Sequence, residues 1–256
     1  MRSPSSFVTI SAAAALMLSA GLARATGPAD DLIKKGDVFY ARLLPGEALK
    51  FYLPAETLEP NNVSLLIRIS RQYRHLVSDA TKREDKLRLG GIAVDYSRRA
   101  VALAPDDPEA QLAIAISYGK VLPLQGKREQ VDNSRLIKAA AEKVVKLDPR
   151  SDLGWHVLGR WHLNMADVGA VKRALAQIAY GKLPTATNED AARCFEKAIA
   201  LNPNRLMHYI ELGRTYAQMG RAVEARKFIA KGLAMPETER DDPETKKKGR
   251  EVMEKL

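Results

Sequence analysis

The chain is expected to fold as an all-α solenoid of paired helices, and three features of its 256 residues carry that expectation. Apolar residues recur at helical spacing, and no stretch sustains the period-two alternation of a strand. Prolines close the apolar runs at Pro60, Pro105, Pro149, Pro203 and Pro236. A helix cannot pass through these positions, because proline has no amide hydrogen and its ring crowds the preceding turn. Small residues also keep register with the prolines. Ala55, Ala100 and Ala198 lie five positions before Pro60, Pro105 and Pro203, and Ala48, Ala93 and Ala191 lie seven further back, with Val144 and Ile137 in the same two slots before Pro149. Small residues at helical spacing let two helices pack closely, which a solenoid of helical pairs requires.

The elements follow in order. Residues 1–25 read as a cleavable signal peptide. Arg2 precedes an apolar run from Phe7 to Leu22, and Ala23-Arg24-Ala25 is the small-x-small pattern of a cleavage site, predicting a mature start at Thr26. The run is shorter than the roughly 20 residues of a membrane-spanning helix. The expected location is therefore the periplasm or the extracellular space. An uncleaved membrane anchor is the alternative; after cleavage no integral span is expected. Residues 26–256 form one repeat domain of about five helical pairs, each ending near its proline.

The first helix of each pair carries the other half of the repeat. Trp155-x-x-Leu158-Gly159-x-x-His162 and Tyr209-x-x-Leu212-Gly213-x-x-Tyr216 fit the W-x-x-L-G-x-x-Y pattern of tetratricopeptide repeats. Gln111-x-x-Ile114-Ala115-x-x-Tyr118 and Leu66-x-x-Ile69-Ser70-x-x-Tyr73 are looser copies, and Leu32 to Gly36 is a degenerate first one. Successive prolines stand 45, 44, 54 and 33 residues apart, against about 34 per standard repeat. The surplus falls within the pairs, near 78–91, 120–132 and 166–187. The first two inserts lengthen helices or loops. The third, Asp167 to Tyr180, has its own amphipathic period (Val168, Val171, Leu175, Ile178) and is expected to add a helix that stops at Gly181. Residues 239–255 read as a charged capping helix.

With Lys172-Arg173-x-Leu175-Ala176 in the inserted segment, a Gly181–Thr187 linker and the Phe195 to Pro203 helix, the chain resembles the regulator of microtubule dynamics family of tetratricopeptide proteins. The likeness is good from about 130 to 256 and thinner from 45 to 129. It implies a non-enzymatic helical adaptor, some of whose eukaryotic relatives associate with microtubules or organelle membranes. It implies no catalytic residues.

The remaining chemistry is sparse. A single cysteine, Cys194, rules out an internal disulfide framework and reads as a packed, inert thiol. His75, His156, His162 and His208 form no H-E-x-x-H or i, i+4 pair, so no metal site is expected. No nucleotide or hydrolase motif occurs, and no cofactor is expected. Gly90-Gly91 reads as a turn. The formal charge of +10 falls only to +8 without Arg2 and Arg24, so the folded part is basic. The tail run Lys246 to Arg250 is balanced by seven acids between Glu237 and Glu254, and aromatics do not interleave with bases elsewhere, so nucleic acid is not the expected partner.

One pattern points to a binding surface. Directly after the small packing position of each first helix come Asp37, Arg71, Ile116, Arg160 and Arg214. In such solenoids this direction faces the concave groove. His75, Lys120, Asn164 and Gln218, four residues further on, share the face. Arg71, Arg160 and Arg214 either converge on an acidic protein or peptide through charge-assisted hydrogen bonds, or pair with acids inside their own repeats.

Overall fold

The computed structural model describes residues 27–168, 179 and 185–256. The leader, and all but the edges of the inserted helix and its linker, lie outside the described residues. Within them the fold is all-α, with eleven helices: α1 (Pro28–Ala41), α2 (Pro45–Leu58), α3 (Val63–Asp79), α4 (Arg83–Leu103), α5 (Pro108–Val121), α6 (Lys127–Leu147), α7 (Asp152–Ala166), α8 (Asn188–Leu201), α9 (Leu206–Gln218), α10 (Ala222–Ala234) and α11 (Asp242–Met253). Neighbours pack as antiparallel pairs, α1 with α2 through α9 with α10, and α11 covers the last pair.

The prolines act through a repeated piece of backbone chemistry. α2, α4, α6 and α8 each stop at a leucine two residues before the proline. The next residue donates its N–H to the carbonyl of Ala55, Ala100, Val144 or Ala198, the fully buried small positions. Two residues after the proline, Asn62, Asp107 or Ser151 caps the next helix by accepting a backbone N–H. The signature position six residues after the proline then returns to it. Trp155 Nε1 donates to the Pro149 carbonyl at 3.0 Å, and Gln111 Nε2 to the Pro105 carbonyl at 2.7 Å. Glutamine at 111 keeps the bond that tryptophan makes at 155, so the looser copy is chemically complete.

The small positions of the first helices are where each pair touches. A Cβ on Gly36 would fall 2.3 Å from the Tyr52 ring, and one on Gly159 would fall 2.9 Å from Phe195. At Gly213 the neighbours are Ile229 Cγ1 at 2.5 Å, the Ile229 amide nitrogen at 2.9 Å and the Ala225 carbonyl at 3.0 Å. Tyr52, Phe195 and Ile229 are themselves fully buried and centre the cores of their pairs.

Two expectations are refined here. The first two inserts lengthen helices: α4 and α6 run 21 residues each, where α2 and α8 run 14. Gly90 and Gly91 are not a turn but lie inside α4. Gly90 is there because a Cβ would meet Val121 at 2.1 Å, so its absence lets α4 lie close against α5.

Gly213→Ala gains up to about 1 kcal/mol of helix propensity but drives a methyl into backbone atoms of α10 that cannot swing aside. The expected net effect is a loss of about 1–3 kcal/mol in chemical denaturation, whereas a stabilised variant would mean that α9 and α10 separate freely.

Candidate functional site

α1, α3 and α5, with the starts of α7 and α9, line one groove in two adjoining sections. Its first section, about 460 Å³, lies among α1, α3 and the start of α5; the second, about 410 Å³, continues past α5 to α7 and α9. Tyr40, Ile67, Arg71 and Glu109 line both.

Arg71 sits at the junction. Its guanidinium donates to the Tyr40 hydroxyl at 2.9 Å, lies over the Tyr40 ring, and comes only within 4.0 Å of Glu109. Behind it, the wall of the groove hides a polar knot that the sequence reading did not find. Ser70, Ser97 and Ser117 hydrogen-bond one another at 2.7–3.1 Å, and the buried Arg74 guanidinium donates to Ser70, Ser117 and the Ala113 carbonyl. Burial, with Arg71 beside it, pulls Arg74 down to about 9. In this second pair Ser70 and Ser97 stand where the first, fourth and fifth pairs place glycine and an aromatic or aliphatic residue, and Ser117 comes from α5 of the third. Also in the wall, the buried Gln72 has no partner for its Oε1 among the described residues.

His75 and Lys120 lie further along, and between them and solvent passes an unexpected segment. Residues 235–241, which connect α10 to α11, do not form the start of a capping helix; they cross the groove as a strap. Asp241 accepts from Ser78 Oγ at 2.7 Å and from Lys120 Nζ at 3.1 Å. Arg240 donates to the Leu43 carbonyl at 3.1 Å and pairs with Asp79. Glu239 pairs with Arg205 at 2.5 Å. The nearly fully buried Asp242 shapes the strap by accepting the backbone N–H groups of Thr238 and Glu239. Partial burial pushes the Asp241 carboxyl up, but the Lys120 ammonium and the Ser78 hydroxyl outweigh it and leave it below the usual carboxylate range.

Arg205 joins the strap to a buried chain. It also holds Asp152 at 2.5 Å, Asp152 bonds His208 Nε2 at 3.0 Å, and His208 Nδ1 meets His156 Nδ1 at 3.0 Å. Burial, then the neighbouring His208, Arg160 and Arg205, hold His156 far below its ordinary range.

Of the seven residues expected on this face, Arg71, His75 and Lys120 come together around the strap. Arg214 is bidentate to Glu211 in its own helix at 2.7 and 2.9 Å, and Arg160 approaches the same carboxylate at 4.0 Å while half-exposed. Gln218 is engaged with the Leu163 carbonyl and Asn188, and Asn164 is exposed. Of the other two recurrence positions, Ile116 lines the second section, whereas Asp37 accepts from Tyr52 and Arg68. Arg205 and the strap acids carry no signal in the sequence because their partners lie in other repeats, and Glu211 pairs locally with Arg214 while also facing Arg160 of the preceding pair. Cys194 is buried, its thiol pushed up to about 12 chiefly by that burial. No cluster of metal-binding side chains and no membrane-spanning helix occurs among the described residues.

Paired helices, the W-x-x-L-G-x-x-Y crossings and a groove along the first helices define a tetratricopeptide-repeat protein, a class whose members are typically non-enzymatic scaffolds. Solved structures agree on the fold: the thermophilic TPR protein TTC0263 of Thermus thermophilus superposes with a TM-score of 0.61 at 17% identity, covering 88% of this chain and 98% of that one. MamA (residues 41 to the end) of Desulfovibrio magneticus RS-1 does so with a TM-score of 0.51 at 17% identity, covering 82% and 96%. The family model described as "Regulator of microtubule dynamics protein 1-3" matches residues 29–256, and the chain belongs to that family. Among curated relatives it is 26% identical over 230 residues to regulator of microtubule dynamics protein 1 of Mus musculus, covering 89% of this chain and 74% of that protein. It is 24% identical over 201 residues to protein 2 of Homo sapiens, where the match covers 77% of this chain but spans only about half, 48%, of that relative's length.

His75 provides a pH test of this geometry. Burial, with Arg74, Arg71 and Lys120 close by, lowers its imidazole to about 4; Asp241 opposes the shift, and Tyr40 stacks on the ring. Unfolded, it titrates near 6.5. The folded state therefore prefers neutral His75, and that contribution is intact above pH 6.5 and is lost as pH falls toward about 4. NMR titration of the ring protons is expected to place His75 near 4, and His75→Asn to flatten the fall in melting temperature over the same window; a midpoint near 6.5 would contradict the packed groove.

Proposed function

We propose that the protein is a non-enzymatic interaction scaffold whose groove captures an acidic peptide or partner segment, with no cofactor. The observation that carries this reading is Arg71, a partly exposed cation at the junction of the two groove sections whose closest partner is a neutral hydroxyl. The half-exposed Arg160, with Lys120, His75, Arg214, Asn164 and Gln218, extends the face. The leader pattern supports export, with cleavage near Ala25; N-terminal sequencing that finds Met1 retained would overturn it.

A charge-assisted hydrogen bond is worth about 1.5–3 kcal/mol where water is excluded, and 1.4 kcal/mol is tenfold in affinity. Peptides selected from a random display library on the purified protein are expected to be rich in Asp and Glu. Replacing Arg71 and Arg160 together by alanine is expected to weaken them more than tenfold with helical content unchanged, while Arg226→Ala, on the exposed face of α10, leaves them alone. Selected peptides without acidic enrichment, or indifferent to both arginines, would remove the reading. Family membership favours one second reading, a microtubule- or membrane-associated regulator, and co-sedimentation with polymerised tubulin decides it.

A further inference from the structure

The strap between α10 and α11 occupies the groove in the manner of a ligand. It follows the last helical pair, yet besides the Glu239–Arg205 pair its ties reach the first three: Leu43 after α1, Ser78 and Asp79 on α3, and Lys120 on α5. The receiving side is cationic, with Arg71, Arg74 and Lys120 around one cavity, and the strap places the Asp241 carboxylate there. The receptor atoms for that carboxylate, a hydroxyl from one helical pair and an ammonium from the next, form a two-point carboxylate clamp. The Asp242 turn holds the strap backbone in shape independently of the clamp, so the acidic side chain is presented rather than merely nearby.

We propose that Ser78 and Lys120 form a carboxylate-binding subsite for an acidic peptide, and that Asp241 of the strap is its built-in occupant, which the peptide displaces. The inference rests on the groove reading above and adds the subsite, the ligand group and the mechanism of exposure. The strap is tethered at both ends by short chain, so it acts at an effective concentration on the order of millimolar. Any peptide supplied in trans must exceed that, and the groove is therefore selective against weak acidic binders.

The test uses a fluorescein-labelled nonapeptide with the sequence of residues 235–243, MPETERDDP, and anisotropy titration. Two strap carboxylates are neutralised together, Glu239→Gln with Asp241→Asn; Arg205 keeps Asp152 as its partner, so no buried charge is stranded. The double variant is expected to bind the peptide at least tenfold more tightly than the wild type. Adding Lys120→Ala is expected to abolish that gain, and circular dichroism checks that helical content is retained in both. Equal affinity of wild type and double variant, no binding by the variant, or a gain that survives Lys120→Ala would each overturn the proposal. Library-selected acidic peptides titrated on the same proteins separate the two readings. If they bind wild type and double variant equally and depend on Arg71 and Arg160, the groove stands and the strap mechanism falls.

Discussion

Everything in this molecule depends on how closely two helices of a pair can approach. Tyr52, Phe195 and Ile229 are large, and each is fully buried against a glycine on the partner helix. A helix crossing with backbone at the contact brings the axes to the short end of the usual 8–10 Å. Because the same crossing recurs pair after pair, the first helices end on one side and the second helices on the other, and a groove follows without any residue being selected to dig it. The second pair solves the crossing differently. Ser70 and Ser97 replace the glycine–aromatic contact and join Ser117 of α5 and the buried Arg74, and a satisfied polar knot of that kind tolerates no partial substitution. It places a fixed positive charge directly behind the groove wall.

That charge explains why the groove needs an occupant. Arg71, Arg74 and Lys120 share one cavity, and neither α3 nor α5 supplies an acid opposite Lys120. The strap does, from more than a hundred residues away. The acids around the basic-looking tail divide between two uses: Glu239 and Asp241 turn into the groove, while Glu244 and Glu237 pair with Lys248 and Lys246 of α11.

Much of the fold was legible from particular residues. The prolines and the small positions before them placed the ends of α2, α4, α6 and α8 because both act locally, through a missing N–H and a capping bond four residues back. The signature positions placed the crossings for the same reason. Gly90 was misread since an isolated glycine pair looks like a turn until its tertiary neighbour, Val121, is known. The candidate site was less legible. Helical spacing groups Arg71, His75 and Lys120, which all line the second section of the groove, but periodicity carries no information about partners in other repeats. Glu211 reaching Arg160 of the preceding pair, and a strap reaching back across the solenoid, are such partners.

The two kinds of polar contact made by the strap differ in a way that bears on how it moves. Arg205, Asp152, His208 and His156 form a chain with a largely buried interior, where removing one member strands the others at a cost of several kcal/mol. This chain fixes α7 against α9 and is not expendable. The ties of Asp241 and Arg240 are partly exposed, and pairs of that kind are each worth about 1 kcal/mol or less. The strap is thus anchored at its α11 end by the Asp242 turn, by α11 packing and by the Glu239–Arg205 pair, and beyond Glu239 it is held across the groove by the separable ties of Arg240 and Asp241. A segment so arranged can leave the groove without unfolding the pair that carries it, because none of the ties it breaks belongs to a helical core. The stability of the solenoid and the occupancy of its groove are therefore set by different residues.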